Sequence, residues 1–292
     1  MPRPDLELLG VGYRKIPVLI IGKDVYCDSR LIFSKLETLY PSSTLALSTP
    51  AEVGIGKLFE SWTVDGGIFA NAVKMMPYWQ ESGFLSNVKF VEDRQKLMGR
   101  KLTAENMEAG RPDGAQHLQQ VFDMLECTFL ADGRDWILDT KEPSLADLDA
   151  VWPFEWLMVD PRMKDSLPMK HFNVEKYPKV FAWVERFVGE LERKKKEVGE
   201  ATVLTSASMS RRTLETASSP EHVSFAYDDP LGLKQGDNVE VFPSDYGQTG
   251  RTVGAIVGLT THEVVIRNSQ GMFVHFPRWN FTISKFVSKS MI

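Results

Sequence analysis

The spacing of apolar and polar positions divides the chain into three regions. The first runs from Ile16 to Tyr40. It opens on the apolar run Pro17-Val18-Leu19-Ile20-Ile21, turns at Gly22-Lys23-Asp24 and resumes as Val25-Tyr26-Cys27. Two short runs around turn residues predict a strand, a tight turn and a strand. Asp28-Ser29 reads as a helix start, because Leu31, Ile32, Leu36 and Leu39 follow at helical spacing. From Pro50 to about Gly199 the period is helical throughout. His117 to Leu130 places Leu118, Val121, Phe122, Leu125 and Phe129 on one face, and Pro178 to Leu191 does the same with Val180, Trp183, Val184 and Phe187. Ser144-Leu145-Ala146-Asp147 is a capping-box variant. In it the Ser144 hydroxyl accepts from the backbone three residues on, and the Asp147 carboxylate reaches back to the N-cap N–H. From Val223 onward the period falls to two, in Asn238–Val241, Thr252–Val257 and Glu263–Arg267, with glycine-containing turns between.

These periods predict an α+β multidomain chain. Residues 1–45 form a small β-β-α domain, 50–200 an all-α domain, and 223–292 a small five-stranded, SH3-like β-barrel. Residues 201–222 are rich in Ser, Thr and Ala and read as a linker. The run Glu192 to Glu197 ends a helix, where its cations suit the helix C-terminus.

Composition narrows the function classes. The chain has 292 residues, 43% of them hydrophobic, and a formal net charge of -5. A mildly acidic chain has no general attraction to nucleic acid or anionic membrane. No apolar run approaches the roughly 20 residues needed to span a bilayer. Met1 to Gly10 has no apolar core of a secretory signal. The two cysteines, Cys27 and Cys127, suggest no disulfide framework, which fits a cytoplasmic setting. The five histidines are scattered, so no metal site is expected.

Tyr13-Arg14-Lys15-Ile16-Pro17-Val18-Leu19, followed by Tyr26-Cys27-Asp28-Ser29-Arg30-Leu31-Ile32, resembles the N-terminal domain of glutathione S-transferases. Ser144 to Asp147 resembles the box that starts the core helix of the family's C-terminal domain. Asp132 to Leu138 and Pro178 to Trp183 resemble its approach and a late helix. The resemblance covers roughly residues 1 to 195, and a β-barrel appendage suggests the divergent fungal relatives. It implies the second half of a thioredoxin-like domain, then the transferase helical bundle. It also implies that Ile16 offers its backbone to the cysteinyl part of glutathione beside a cis Pro17, while Asp28 and Ser29 hold the γ-glutamyl end. The chemistry is reasonable on first principles, since a helix N-terminus with a serine donates to a carboxylate. The residues alone also fit a strand-opening proline and a plain N-cap.

The partners implied are glutathione as co-substrate, an apolar small-molecule electrophile and, by family habit, a second copy in a homodimer. Trp62, Phe69 and Met76 are the candidate wall of the electrophile pocket, with core packing as the competing reading. The expected reaction is thiolate attack or isomerisation. The residue that activates the thiol belongs to the family's first β-α-β unit, which this sequence does not show, so no catalytic residue is assigned. Cys27, which precedes Asp28, is a candidate for lowering a thiol pKa of about 8.5 but reads first as a buried strand cysteine, and Tyr13 is a remoter candidate. The missing unit also leaves Pro17–Ile21 as an apolar strand edge. Two readings stay open: a start assigned too late, or a short form that has lost the chemistry. A non-catalytic scaffold is the alternative function. Asp245-Tyr246-Gly247 and His275-Phe276-Pro277-Arg278 are candidates for a recognition surface in the barrel, against plain packing.

Overall fold

The structure is a computed structural model that describes residues 3–45, 47–80, 83–99, 101–217 and 223–287. The chain forms two compact units. One comprises Met1–Pro41, Glu92–Arg100 and Thr202–Ile292, and the other Ser42–Val91 and Lys101–Ala201.

The first unit corrects the expected division. Residues 1–45 and the C-terminal strands were expected as separate domains, yet they share one sheet and one core. Helix α1 (Pro4–Leu8) leads to the hairpin of β1 (Val18–Ile21) and β2 (Asp24–Cys27), then to α2 (Ser29–Leu39). Near the other end of the chain come α9 (Ser206–Glu215), β3 (Asn238–Pro243), β4 (Thr252–Leu259), β5 (Glu263–Arg267), β6 (Phe273–Pro277) and β7 (Phe281–Lys285). Among the described residues the sheet has seven strands in the order β1-β2-β6-β5-β4-β3-β7. The five C-terminal strands pair antiparallel, while β2 joins β6 in parallel with Tyr26 opposite His275. The apolar β1 is an end strand. The physical reason for the merger is the core. Leu6, Leu9, Val11, Tyr13, Val25 and Cys27 are buried in the same cluster as Val239, Ile256, Ile266 and Phe276. At about 40 residues the N-terminal segment is too short to close a core of its own.

The N-terminal approach is therefore part of the packing. Gly12 donates its N–H to Thr252 Oγ1 at 3.0 Å, and a Cβ at Gly12 would lie 2.0 Å from the Arg251 carbonyl oxygen. The expected linker is corrected too. Within it, α9 is capped by Thr205, whose hydroxyl accepts from the Ser208 N–H at 3.3 Å. Met209 anchors α9 to the core, and the small residues Ser210 and Thr213 are buried, so α9 can lie close on α1. Residues 218–222 and 288–292 of the expected linker and barrel lie outside the described residues.

The second unit is helical. Helix α3 (Pro50–Val64) starts from a capping box of Thr49 and Glu52, and α4 (Ile68–Lys74) follows. Helix α5 (Val88–Met98) runs into the segment Glu92–Arg100 of the first unit. Helix α6 (Ala104–Met124) continues into a π-helical turn, Leu125–Phe129. Helices α7 (Leu145–Met158) and α8 (Pro178–Val198) begin where the capping box and the proline predict. Phe122 is the centre of the core, with ring centroids 5.1 Å from each of Phe154, Phe172 and Tyr177. Beside it Asp147 is fully buried. It accepts from the Ser144 N–H at 3.0 Å and hydroxyl at 2.9 Å, the Ile137 N–H at 2.9 Å and the Trp183 indole N–H at 3.0 Å.

The π-helical turn has a use. It presents Glu126 to the start of α8, where the carboxylate accepts from the Lys179 and Val180 N–H groups, each at 3.0 Å. Those are donors with no partner inside the helix, and a carboxylate suits the positive end of the helix dipole. Glu126→Ala is expected to cost the helical unit about 1–3 kcal/mol in urea unfolding. An unchanged midpoint would show that water replaces the cap without loss.

Candidate functional site

Four residues singled out in the sequence meet at one end of the β1–β2 hairpin. The register sets Val18 opposite Cys27, so the next residues outward, Pro17 and Asp28, lie at the same end, followed by Ile16 and Ser29. The Ile16–Pro17 peptide is cis. Ile16 is 68% exposed, and among the described residues its backbone N–H and C=O make no hydrogen bond. Asp28 is the N-cap of α2, accepting from the Arg30 N–H at 3.1 Å. Its φ of 77° lies in a region that residues with a Cβ seldom adopt, at a cost on the order of 1–3 kcal/mol. Such positions cluster where a side chain must be aimed. Ser29 opens α2 half-buried, and its hydroxyl has no partner among the described residues. The first turn of α2 holds no acidic residue, and a helix start carries N–H groups that have no partner inside the helix.

The charges around this end come from both ends of the chain. The Lys15 ammonium lies 2.6 and 2.7 Å from the two carboxylate oxygens of Asp245 and 4.0 Å from the centroid of the Tyr246 ring. Burial, then Asp245, pushes the Tyr246 hydroxyl up to about 12, with Asp28 adding to the rise and Arg94 opposing it. Burial, then the Asp28 carboxylate, also raises Tyr13 and Cys27. All three groups keep their protons at neutral pH. Tyr13 and Cys27 are buried to 1% and 0% exposure, which removes them as groups that could touch a thiol at the surface. Tyr13 packs its ring instead against Phe276 and Phe281, at 6.2 and 5.8 Å.

The other expected constellations come apart. Of Trp62, Phe69 and Met76, only Trp62 lines the cavity of about 370 Å³ between α3, α4 and α6, together with Ile68, Asn71, His117 and Val121. Phe69 packs its ring on Trp152 and Trp156, at 5.1 and 5.8 Å, and Met76 lies against the helical core. In the expected recognition surface His275, Phe276 and Pro277 are buried in the sheet. Arg278 is bonded to Asp229 at 2.7 Å and to the Thr260 carbonyl at 2.8 Å. Period-two spacing marks alternate faces of a strand, and here both faces of β6 are covered. The Lys15–Asp245–Tyr246 cluster was missed, because nothing local in the sequence joins positions about 230 residues apart. Among the described residues no group of three or more His, Cys, Asp or Glu is arranged to hold a metal ion, and no helix is long and apolar enough to cross a membrane.

Comparison with known proteins gives this geometry a setting. A family model described as the glutathione S-transferase N-terminal domain matches residues 1–44. A GST-like protein from Pseudomonas syringae aligns over 98% of this chain and 87% of its own, with 25% identity and a TM-score of 0.64. The chain has a glutathione S-transferase-like fold, and its first 44 residues match that family's N-terminal domain.

The likeness lies in the N-terminal segment and in the architecture. A second model, a domain of unknown function (DUF7962), matches residues 71–196. A glutathione S-transferase from Methylobacterium radiotolerans, solved in complex with glutathione sulfonate, is 18% identical over 65% of this chain and 75% of its own, at a TM-score of 0.38. One from Legionella pneumophila is 19% identical over 63% of this chain and 86% of its own, at 0.37. No curated protein matches the chain.

Proposed function

We propose that this chain is a glutathione S-transferase relative and that the end of its β1–β2 hairpin binds glutathione. The observation that supports it most is the convergence of Ile16, Pro17, Asp28 and Ser29, set by the Val18–Cys27 register. The cysteinyl backbone would lie along the exposed Ile16 N–H and C=O, as an extended peptide lies on a sheet edge. The γ-glutamyl carboxylate would take the Ser29 hydroxyl and the N–H groups at the start of α2, and Asp28 would take the ammonium group. Bound glutathione would supply the nucleophilic thiol, and an apolar electrophile would be its partner in conjugation or isomerisation. A cytoplasmic setting belongs to the same reading, with Cys27 and Cys127 both unbridged.

The burial of Tyr13 and Cys27 favours a second reading, in which glutathione is held without turnover by a non-catalytic member. Retention on immobilised glutathione, paired with a thiol-conjugation assay on chlorodinitrobenzene, separates the two. Retention with turnover supports the enzyme, and retention without it supports the second reading. Failure to bind removes both. Ser29→Ala should weaken glutathione binding roughly tenfold or more, the worth of one hydrogen bond to a charged group. Unchanged affinity would place the ligand elsewhere.

A further inference from the structure

The sheet holds a buried histidine that the glutathione reading does not use. His275 on β6 has 0% exposure. Its Nε2 lies 2.9 Å from Asp24 Oδ1 on β2, and its Nδ1 lies 2.6 Å from Glu263 Oε1 on β5. The registers explain the meeting. Tyr26 and Val265 are the residues opposite His275, so Asp24 and Glu263 each stand two positions off, on the same face as the imidazole. Tyr26 stacks on the imidazole at 4.3 Å between centroids. Helix α2, which packs on β2 and β6, contributes Arg30, Lys35 and Glu37, and the Lys35 ammonium lies 5.4 Å from the Tyr26 centroid. The charges that act on His275 are those of Asp24 and Glu263.

A neutral imidazole has one N–H and can satisfy one carboxylate, leaving a lone pair aimed at the other. Only the imidazolium donates to both. We propose that Asp24, His275 and Glu263 form a proton-operated latch between the N-terminal hairpin and the C-terminal sheet, closed while His275 is an imidazolium and released when it loses a proton. The latch sits where β2 meets β6, a junction of three paired positions and a bond from the Phe273 N–H to the Lys23 carbonyl at 2.9 Å. Burial opposes the charged ring, but the hydrogen bonds and charges of Asp24 and Glu263 outweigh it, and His275 is raised above its ordinary value. A group raised in the folded state contributes fully below its unfolded value of about 6.5. That contribution is lost as pH climbs through the folded value. The hairpin is therefore held most firmly below about pH 6.5 and loosens as pH rises through the higher folded value. If the glutathione reading holds, Asp28 and Ser29, which directly follow β2, inherit that dependence.

The test uses the full chain without ligand. Nitrogen NMR of ¹⁵N-histidine-labelled protein should show both His275 ring nitrogens protonated in mildly acidic solution, with deprotonation at a pH above the ordinary histidine value. Hydrogen exchange, corrected for its intrinsic pH dependence, should show protection of the Val25 and Phe273 amides falling about tenfold or more across that deprotonation. In Glu263→Gln the deprotonation should move to lower pH and the fall in protection should follow it. Two results would overturn the latch. One is a neutral His275 at pH 6.5 or below. The other is a fall in protection that keeps its position in Glu263→Gln. Should His275→Gln fail to fold, the wild-type spectra and the milder Glu263→Gln decide the matter without it.

Discussion

Replacing Asp147 by alanine will destabilise the helical unit by about 3–5 kcal/mol. The carboxylate is fully buried and accepts four hydrogen bonds, from the Ser144 N–H and hydroxyl, the Ile137 N–H and the Trp183 indole. Alanine leaves those donors without an acceptor and without water. Each orphaned group costs about 1–3 kcal/mol, partly relieved by local relaxation. Asp147→Asn should lose less, because the amide oxygen still serves two donors while its NH₂ faces the Ser144 N–H. Trp183→Phe keeps most of the ring packing against Phe154 and should lose about 1–2 kcal/mol. Urea unfolding followed by far-UV circular dichroism ranks the three. Equal midpoints for Asp147→Ala and the wild type would mean that the helix start stands without its carboxylate.

Gly12→Ala is expected to destabilise the sheet unit by about 3 kcal/mol, at the upper end of overpacking costs. The added Cβ would sit 2.0 Å from the Arg251 carbonyl oxygen and 2.7 Å from its carbon. Those are backbone atoms, so no rotamer change makes room. The segment must lift away, breaking the Gly12 bond to Thr252 and exposing Leu9, Val11 and Tyr13. Limited trypsin digestion should then cut after Arg14 and Lys15 at least tenfold faster than in the wild type, because cleavage follows the open population. A cutting rate unchanged from the wild type would show that the close approach relaxes at little cost.

Features fixed by neighbouring residues were legible in the sequence. The β1–β2 hairpin, the start of α2 at Ser29, the Ser144 cap, the Pro178 start and strand β5 each depend on a few adjacent side chains. The gathering of Ile16, Pro17, Asp28 and Ser29 was legible for the same reason, because one short hairpin positions all four. The merger of the first and last segments was not. Asp24 and His275 are 251 residues apart, and no periodicity records that their strands will pair. Helix α9 was missed because Ser, Thr and Ala serve equally for a loose strap and for a helix packed close on a neighbour. Phe69 and Met76 share a helical stripe with Trp62, but a stripe does not tell which of its members face a void. The His275 segment read as surface because its alternation does not reveal a second covered face.

The parallel seam of β2 and β6 also sets an order of events during synthesis. Asp24 leaves the ribosome 251 residues before His275. At roughly 5–20 residues per second, that delay is about 12–50 s. Throughout it the helical segments can close on one another, while the Val-Leu-Ile-Ile strand and the buried side of the hairpin have no sheet to join. Contacts this distant along the chain form late and slowly. The nascent hairpin is thus a natural client for a holding chaperone, and a translation pause before residue 273 would lengthen its exposure while leaving the finished fold the same.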